Sequence, residues 1–274
     1  MKTKQTAAKA TLTVIALICT LLALFPLVWV ILAGFKEKTE VLATPFRFLP
    51  RQWLSVNYAD IVKDAAFQET MLTTFGGALL FAVLCLAVNA AAAYVFARLE
   101  FRFKTFLWLY VISTMFIPSM AILLTSFIVV NKLGMLDTFA VLVLPGVASA
   151  GSMFFIRQFY LNIPLALEEA ALIDGADRMR IFTSIFVPMS YPVFVIVGIG
   201  AYLGYWNSFV WPTMTITNPH LFQIMQYLAT FRSERSTELG MLMAGSALSA
   251  IPTIVLFLIF QKYIIAGVKI SGLK

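Results

Sequence analysis

Long runs of apolar residues alternate with short polar segments along the whole chain. A helix crosses about 30 Å of membrane hydrocarbon with roughly 20 apolar residues, and six runs are long enough to do so. The predicted spans cover residues 10–35, 69–97, 105–130, 138–156, 189–211 and 239–260. Because a bilayer leaves spanning helices no outside partners for their backbone groups, the pattern predicts an all-α membrane protein with residues 1–274 in a single transmembrane domain.

Proline is expected to disturb the helix in the first, third and fourth of these spans. Pro26 is expected to kink the first span, Pro118 lies inside the third, and Pro145-Gly146 interrupts the fourth. Proline removes a backbone donor and crowds the preceding turn of a helix. The fourth span is therefore expected to be interrupted rather than straight.

Composition supports a membrane protein and excludes several soluble classes. The chain is 61% hydrophobic and only 12% charged, whereas soluble domains carry about 25% charged residues. The net charge of +7 is scattered between the spans, so it does not indicate nucleic-acid binding. Cys19 and Cys85 both lie in apolar runs, which makes a disulfide framework an unlikely use of them.

The distribution of basic residues predicts the orientation. If the N-terminus is cytoplasmic, twelve of the 20 basic residues lie on the inside, whereas eight of the 13 acidic residues lie outside. Both termini and the segment between the fourth and fifth spans are then cytoplasmic.

Catalytic and ion-coupling chemistry is not visible in the sequence. The interiors of the predicted spans hold no Asp, Glu, Lys, Arg or His, although proton- and sodium-driven carriers usually keep such groups at membrane depth. No G-x-x-x-x-G-K-[ST] motif occurs, so the chain is not expected to bind a nucleotide phosphate itself. His220, the single histidine, is interpreted as a solvated loop residue rather than a metal ligand. Energy for transport is expected to come from another chain.

The segment of residues 162–188 carries charge and helix-forming residues between two apolar blocks. Pro164 can begin a helix over 165–174, and Glu168 and Glu169 fall in its first turn. Gly175 is predicted to end that helix, and Asp177 to cap a second one that continues to Pro188. We predict two short helices with a sharp bend between them.

The same segment resembles the EAA loop of permease subunits of binding-protein-dependent ABC importers. Glu169-Ala170-Ala171 is followed after three residues by Gly175, and nine residues later by Ile185-Phe186-Val187-Pro188. The family pattern has Leu where Val187 stands. In that family the loop is a cytoplasmic coupling helix that docks into a groove of the ATPase; the simpler alternative is a solvated linker. The resemblance assigns ATPase coupling to Glu168, Glu169, Ala170, Ala171, Asp174, Gly175 and Ala176.

Four residues, in two parts of the chain, are candidates for the translocation path. The fifth span ends in Tyr205, Trp206 and Asn207, and an aromatic face next to an amide is a combination that contacts sugars. The alternative for these residues is an aromatic belt at the membrane interface with an asparagine bonded to a neighbouring helix. Asn89 lies within the second span, where helix packing is the preferred interpretation and lining of the path the second.

The resemblance covers nearly the whole chain and points to the carbohydrate-uptake, maltose-type branch, in particular to its shorter second permease subunit. It is carried by the segments 91–101, 117–118, 131–134, 144–146, 157–159, 163–164 and 206–212. It implies a type I ABC importer permease fold with six spans in a bacterial or archaeal cytoplasmic membrane. The implied partners are a second permease subunit, two ATPase subunits and an extracytoplasmic solute-binding protein. No cofactor is expected in this chain, because ATP and Mg would bind to the ATPase. The C-terminal tail, residues 269–274, is expected to reach the interface with the ATPase.

The predicted function is that of a non-catalytic permease subunit of an ATP-driven importer of a sugar or oligosaccharide. One alternative is a permease of the same fold for another solute, such as glycerol phosphate or a polyol. The other is a carrier or channel that needs no ATPase.

Overall fold

The structure, a computed structural model, describes residues 2–231 and 238–272, and within these ranges it contains helices and turns but no β-strand. The α-helices are α1 (Lys2–Ala33), α2 (Lys38–Val41), α3 (Val56–Lys63), α4 (Ala65–Arg98), α5 (Lys104–Ser113), α6 (Ser119–Lys132), α7 (Phe139–Val143), α8 (Ala150–Leu161), α9 (Leu165–Ile173), α10 (Arg178–Ile181), α11 (Val187–Met189), α12 (Tyr191–Trp206), α13 (Val210–Thr215), α14 (Ile224–Thr230) and α15 (Leu239–Gly272). Residues 114–116, 144–146 and 219–221 form 3₁₀ turns, and residues 182–186 form a π-helical segment. The last residues of the expected ATPase-contacting tail, 273 and 274, lie outside the described residues.

Three helices are long and apolar enough to cross a membrane by themselves. They comprise Thr11–Ala33 of α1, Ala65–Arg98 (α4) and Leu239–Tyr263 of α15. They coincide with the predicted first, second and sixth spans. Pro26 lies inside α1, and Pro252 lies inside α15.

The predicted third and fourth spans correspond to bent pairs of shorter helices, whereas the predicted fifth span overlaps mainly the second helix of such a pair, whose first helix lies almost entirely in the 162–188 segment. Lys104–Phe116 and Ser119–Lys132 meet at 105°, Phe139–Gly146 and Ala150–Leu161 at 47°, and Arg178–Met189 and Tyr191–Trp206 at 79°. By length and composition, the described residues therefore hold three clear spans, or up to six if each bent pair is one span. The interruption predicted at Pro145-Gly146 is confirmed.

The sharpest bend lies at Pro118, which the sequence places inside a span. Here the helical conformation ends at Phe116, Ile117 is extended, and Pro118 precedes the first residue of α6. Because the proline ring disfavours helical conformation at the residue before it, the chain leaves the helix one residue early and resumes it in a new direction.

Two compact units make up the chain. The first comprises Met1–Gln68 and Tyr227–Ile251, and the second comprises Glu69–Gln226 and Pro252–Lys274. In the first unit, Lys36 is fully buried, and its ammonium group lies 4.0 Å from the ring centroid of Trp29 and bonds to the carbonyl oxygen of Arg47. Burial lowers the pKa of Lys36. The same unit contains a hydrogen bond of 2.7 Å from the Tyr227 hydroxyl to the Asp64 carboxylate.

The second unit contains a buried core beneath the charged 162–188 segment. Ile156 and Tyr160 of α8 and Ile181 of α10 are fully or almost fully buried in it. The ring of Phe186 packs edge-on against Tyr94 and Tyr160, with centroid distances of 4.9 and 5.2 Å. This aromatic cluster packs the ends of α4 and α8 against the π-helical segment and so fixes the 162–188 segment to the core.

Candidate functional site: the 162–188 segment and two neutral cavities

The first helix of the 162–188 segment ends at the predicted glycine. Gly175 has φ +78°, a left-handed conformation that glycine adopts without a side-chain clash. The Gly175 amide donates to the carbonyl of Leu172 at 3.1 Å, and the Ala176 amide donates to that of Ala171 at 2.9 Å. These two bonds form a Schellman motif, which satisfies carbonyls left free at a helix end. The predicted stop at Gly175 is confirmed.

The second helix begins at the predicted cap and is less regular than predicted. The Asp177 carboxylate accepts a hydrogen bond of 2.7 Å from the Arg180 amide, which confirms the N-cap. After α10 the chain passes through the π-helical segment of residues 182–186 into α11, which ends just after Pro188. The two short helices and the bend between them are therefore present, whereas the π-helical segment was not predicted.

Glu168 and Glu169 lie in opposite environments although they are adjacent. Glu168 is only 5% exposed, and its carboxylate is paired with Arg178 and lies 3.9 Å from the Nε of Arg98. Glu169 is exposed. Of the two carboxylates, Glu169 is therefore the one that is free to meet another protein, while Glu168 is neutralised within the chain.

Arg98 holds the start of the segment, a role that the sequence did not reveal. From the C-terminal end of α4 its guanidinium donates to the carbonyl of Tyr160 at 2.6 Å and also to the carbonyl of Ile163. It lies 5.0 Å above the ring of Phe186. In sequence Arg98 is one of several basic residues that follow an apolar run, so only its position after α4 could have suggested contact with neighbouring helix ends.

The outer surface of the segment is apolar and acidic. Ile173 is 86% exposed, and Leu165 and Met179 are also largely exposed. Ala170 and Asp174 are exposed with them, whereas Ala171 and Ala176 pack partly against the core. Exposed apolar side chains grouped on a fixed loop are typical of an interaction surface.

Among the cavities of the second unit, two share part of their lining, and neither of these two is lined by a charged residue. The first has a volume of about 310 Å³ and is lined mainly by residues of α6, α12 and α13. The second has a volume of about 650 Å³ and is lined mainly by α8 and α12. Phe81, Gly146 and Ala201 contribute to both linings.

The four residues predicted for the translocation path do not come together. Tyr205 lines the first cavity. Trp206 is buried and stacks on Tyr202, with ring centroids 5.5 Å apart. Asn207 is exposed, and its amide donates to the carbonyl of Leu203 in its own helix.

Asn89 makes the hydrogen bonds expected of the packing interpretation. Its amide donates to the carbonyls of Cys85 and Val147 at 2.7 and 2.8 Å, and its side-chain oxygen accepts from the Ser149 amide at 2.9 Å. It thereby supplies partners to backbone groups released by the break between α7 and α8. Its contribution to the path stays a prediction.

Two loops near the first cavity are joined through Asp137. Its carboxylate accepts hydrogen bonds from the amide and hydroxyl of Thr217, both at 2.6 Å, and from the Asn218 amide at 2.9 Å. These bonds hold the pKa of Asp137 below its usual value. Nearby, the indole of Trp211 donates to the carbonyl of Val141 at 2.9 Å, which fixes α13 to α7.

His220 has a carboxylate neighbour that its sequence context did not suggest. Its Nδ1 lies 3.0 Å from a carboxylate oxygen of Glu69, and both side chains are solvent-exposed. Within residues 2–231 and 238–272 no group of three or more potential metal ligands occurs. His220 is thus a loop residue in an exposed pair.

Comparison with known proteins decides the family. A profile of the family described as binding-protein-dependent transport system inner membrane component matches residues 91–270. The chain belongs to this family. The matched region contains the 162–188 segment and Tyr205, Trp206 and Asn207.

Curated relatives of this inner membrane component match over most of its length. The arabinooligosaccharides transport system permease protein AraQ of Halalkalibacterium halodurans is 30% identical over 259 residues, 92% of each chain. The diacetylchitobiose uptake system permease protein NgcG of Streptomyces coelicolor is 30% identical, covering 91% of this chain and 84% of that protein. The sn-glycerol-3-phosphate transport system permease protein UgpE of Escherichia coli is 32% identical, covering 89% of this chain and 90% of that protein.

A solved structure supports the same fold for the inner membrane component. A chain of a bacterial ABC transporter involved in the import of the acidic polysaccharide alginate superposes with a TM-score of 0.82. The match covers 95% of this chain and 97% of that chain at 19% identity. The fold is therefore the helical type I ABC permease fold.

Proposed function

We propose that this inner membrane component is a permease subunit of an ATP-driven importer of a sugar or oligosaccharide. It would form half of the translocation path together with a second permease subunit. A solute-binding protein outside the cell would deliver the solute, and two ATPase subunits, which bind ATP and Mg, would supply the energy. The chain itself would carry out no catalysis. Relatives named for arabinooligosaccharides and diacetylchitobiose support the sugar assignment.

The observation that carries the coupling part of the proposal is the construction of the 162–188 segment. Arg98 binds it to the end of α4, the Glu168–Arg178 pair closes it, and the apolar edge at Ile173 is left exposed. Because the segment is fixed to the core, a force applied at its exposed surface would move α8 and α12 with it. Rigid-body rocking of helices driven from such a point is how transporters alternate between inward and outward states.

The neutral cavity linings favour a neutral solute over a phosphate. Transfer of an ionised group into an apolar site without a charged partner is strongly unfavourable, and the linings of both cavities contain no lysine or arginine. The similarity to the glycerol-3-phosphate permease nevertheless gives a second candidate function. Six spans in a bacterial or archaeal cytoplasmic membrane, with both termini inside, complete the proposed topology.

Reconstitution of the assembly with its ATPase, partner permease and binding protein tests this proposal. We expect ATP-dependent uptake of at least one of maltose, arabinotriose and diacetylchitobiose, and none from the single chain in liposomes. Uptake of glycerol 3-phosphate alone would favour the second candidate. Flux through the isolated chain without ATP would contradict an ATP-driven importer.

Glu169→Lys tests the coupling surface. We expect this variant to remain in the membrane and to hydrolyse ATP without uptake, because the change reverses the charge that the segment presents to its partner. Normal uptake and normal copurification of the ATPase in this variant would contradict the coupling role.

A further inference from the structure

Two buried polar groups in the first cavity lack hydrogen-bond partners within the described part of the chain. Tyr205 is 4% exposed and Gln223 is 1% exposed. The Tyr205 hydroxyl lies close to the Gln223 side chain, yet neither it nor the Gln223 Oε1 makes a hydrogen bond of good geometry. A buried polar atom without a partner is energetically unfavourable, and few such atoms occur in native structures. A bound molecule with hydroxyl groups would remove this cost at both positions.

The rest of the lining matches the chemistry of a sugar ring. Ser119 and Ser126, both on α6, and Ser208, just after α12, add three hydroxyl groups. Ser119 and Ser126 are seven residues apart, so they lie on the same face of their helix. Trp211 contributes an aromatic side chain. Hydroxyl and amide groups beside an aromatic ring, without charge, suit a neutral molecule that has both hydroxyls and C–H faces.

The two unpartnered groups are held in place before any ligand arrives. The Tyr205 side chain packs directly against Gly77, and a Cβ atom on residue 77 would overlap the Tyr205 hydroxyl. The centroid of the Tyr205 ring lies 5.6 Å from that of Phe81. The residue after Gln223 is anchored by a hydrogen bond of 2.8 Å from its amide to the Thr74 hydroxyl. Groups fixed in this way lose little conformational entropy when they bind a ligand.

We infer that the first cavity is a subsite of this chain for one ring of a neutral sugar, with Tyr205 and Gln223 as its main polar contacts. The inference rests on the proposed sugar-import function. At about 310 Å³ the cavity lies at the small end of the range of about 300–1,000 Å³ for ligand pockets, which suits a single ring rather than a whole oligosaccharide. Tyr205 was among the residues predicted for the translocation path, whereas Gln223 was not, and the predicted Trp206 and Asn207 do not line this cavity.

Tyr205→Phe in the reconstituted assembly is the first test, because it keeps the ring and removes only the hydroxyl. The probes are maltose, arabinotriose and diacetylchitobiose, measured for the unmodified assembly and the variant. We expect about three- to tenfold lower uptake of the imported sugar, the loss that corresponds to one hydrogen bond. Tyr110→Phe is the matched control, since Tyr110 is exposed and lies outside the cavity lining.

Ser126→Cys provides a second measurement that does not depend on the activity of a variant at Tyr205. A small methanethiosulfonate reagent should modify this cysteine, and the imported sugar should slow the modification. The unmodified chain, with Cys85 buried, gives the background. Full uptake by Tyr205→Phe together with no protection of Ser126→Cys would overturn the subsite while leaving the proposed function standing. No uptake of any of the three sugars by the unmodified assembly would overturn both.

Discussion

At the scale of single residues, the central feature is the difference between Glu168 and Glu169. Glu168 lies in the first turn of α9 and Glu169 directly follows it, so sequence alone predicts a similar dipole interaction for each. Only Glu168 meets Arg98, whose position 70 residues earlier depends on where α4 ends. Burial of one carboxylate is thus a tertiary effect that local sequence does not contain. The Glu168 carboxylate pairs with arginines of the same chain, whereas the neighbouring Glu169 is exposed.

Glu168→Gln is expected to destabilise the protein, whereas Glu169→Gln is not. Removing one partner of a buried ion pair costs about 3–5 kcal/mol, and an exposed pair contributes less than about 1 kcal/mol. Because Arg98 is buried but Arg178 is half exposed, we expect Glu168→Gln to lower the free energy of unfolding by about 2 kcal/mol. Thermal unfolding in detergent, followed by the loss of monodisperse protein, measures this difference. Equal melting temperatures for the two variants would show that the Glu168 cluster contributes no stability.

At the scale of elements, the 162–188 segment shows what local sequence signals do and do not predict. The glycine stop, the Asp177 cap and the proline-bounded ends were predicted because each is a property of one residue and its immediate backbone. The π-helical segment at 182–186 was not predicted; its last residue, Phe186, packs on Tyr94 and Tyr160, which are distant in the sequence. Asn89 shows the same limit: its polarity within an apolar run was visible, but its partners, Val147 and Ser149, were not.

Gly175→Ala tests the conformation of this turn, and Gly134→Ala serves as its control because the two glycines have a similar backbone conformation. Gly175 and Gly134 have φ of +78° and +67°, and a Cβ at either would meet no other atom within 4 Å. Each substitution should therefore lower the free energy of unfolding by about 1–2 kcal/mol, because alanine is disfavoured in the left-handed backbone conformation. We expect both variants to lose similar thermal stability, but only Gly175→Ala to lower uptake relative to ATP hydrolysis. A similar loss of coupling in Gly134→Ala would show that the effect is general destabilisation.

At the scale of the whole molecule, bilayer thickness sets the length expected of a span, and three of the six predicted spans overlap helices that are long and apolar enough to cross a membrane by themselves. The 105° bend at Pro118 was not predictable, since proline can be accommodated within a span or can end one. The first cavity could not be predicted from the sequence for a related reason. Its lining joins Ser126, Tyr205 and Gln223, which are brought together only by the packing of separate helices.

The orientation of the whole chain can be tested with two cysteine variants. Glu169→Cys and His220→Cys each place a thiol at an exposed position, and the native Cys19 and Cys85 lie on an apolar helix and in the core. Since basic residues favour the cytoplasmic side, a membrane-impermeant maleimide should label position 169 only in inside-out vesicles and position 220 only in intact cells. The unmodified chain corrects for background labelling. Labelling of position 169 in intact cells would place the 162–188 segment outside the cell, where no ATPase could reach it, and would overturn the coupling mechanism with it.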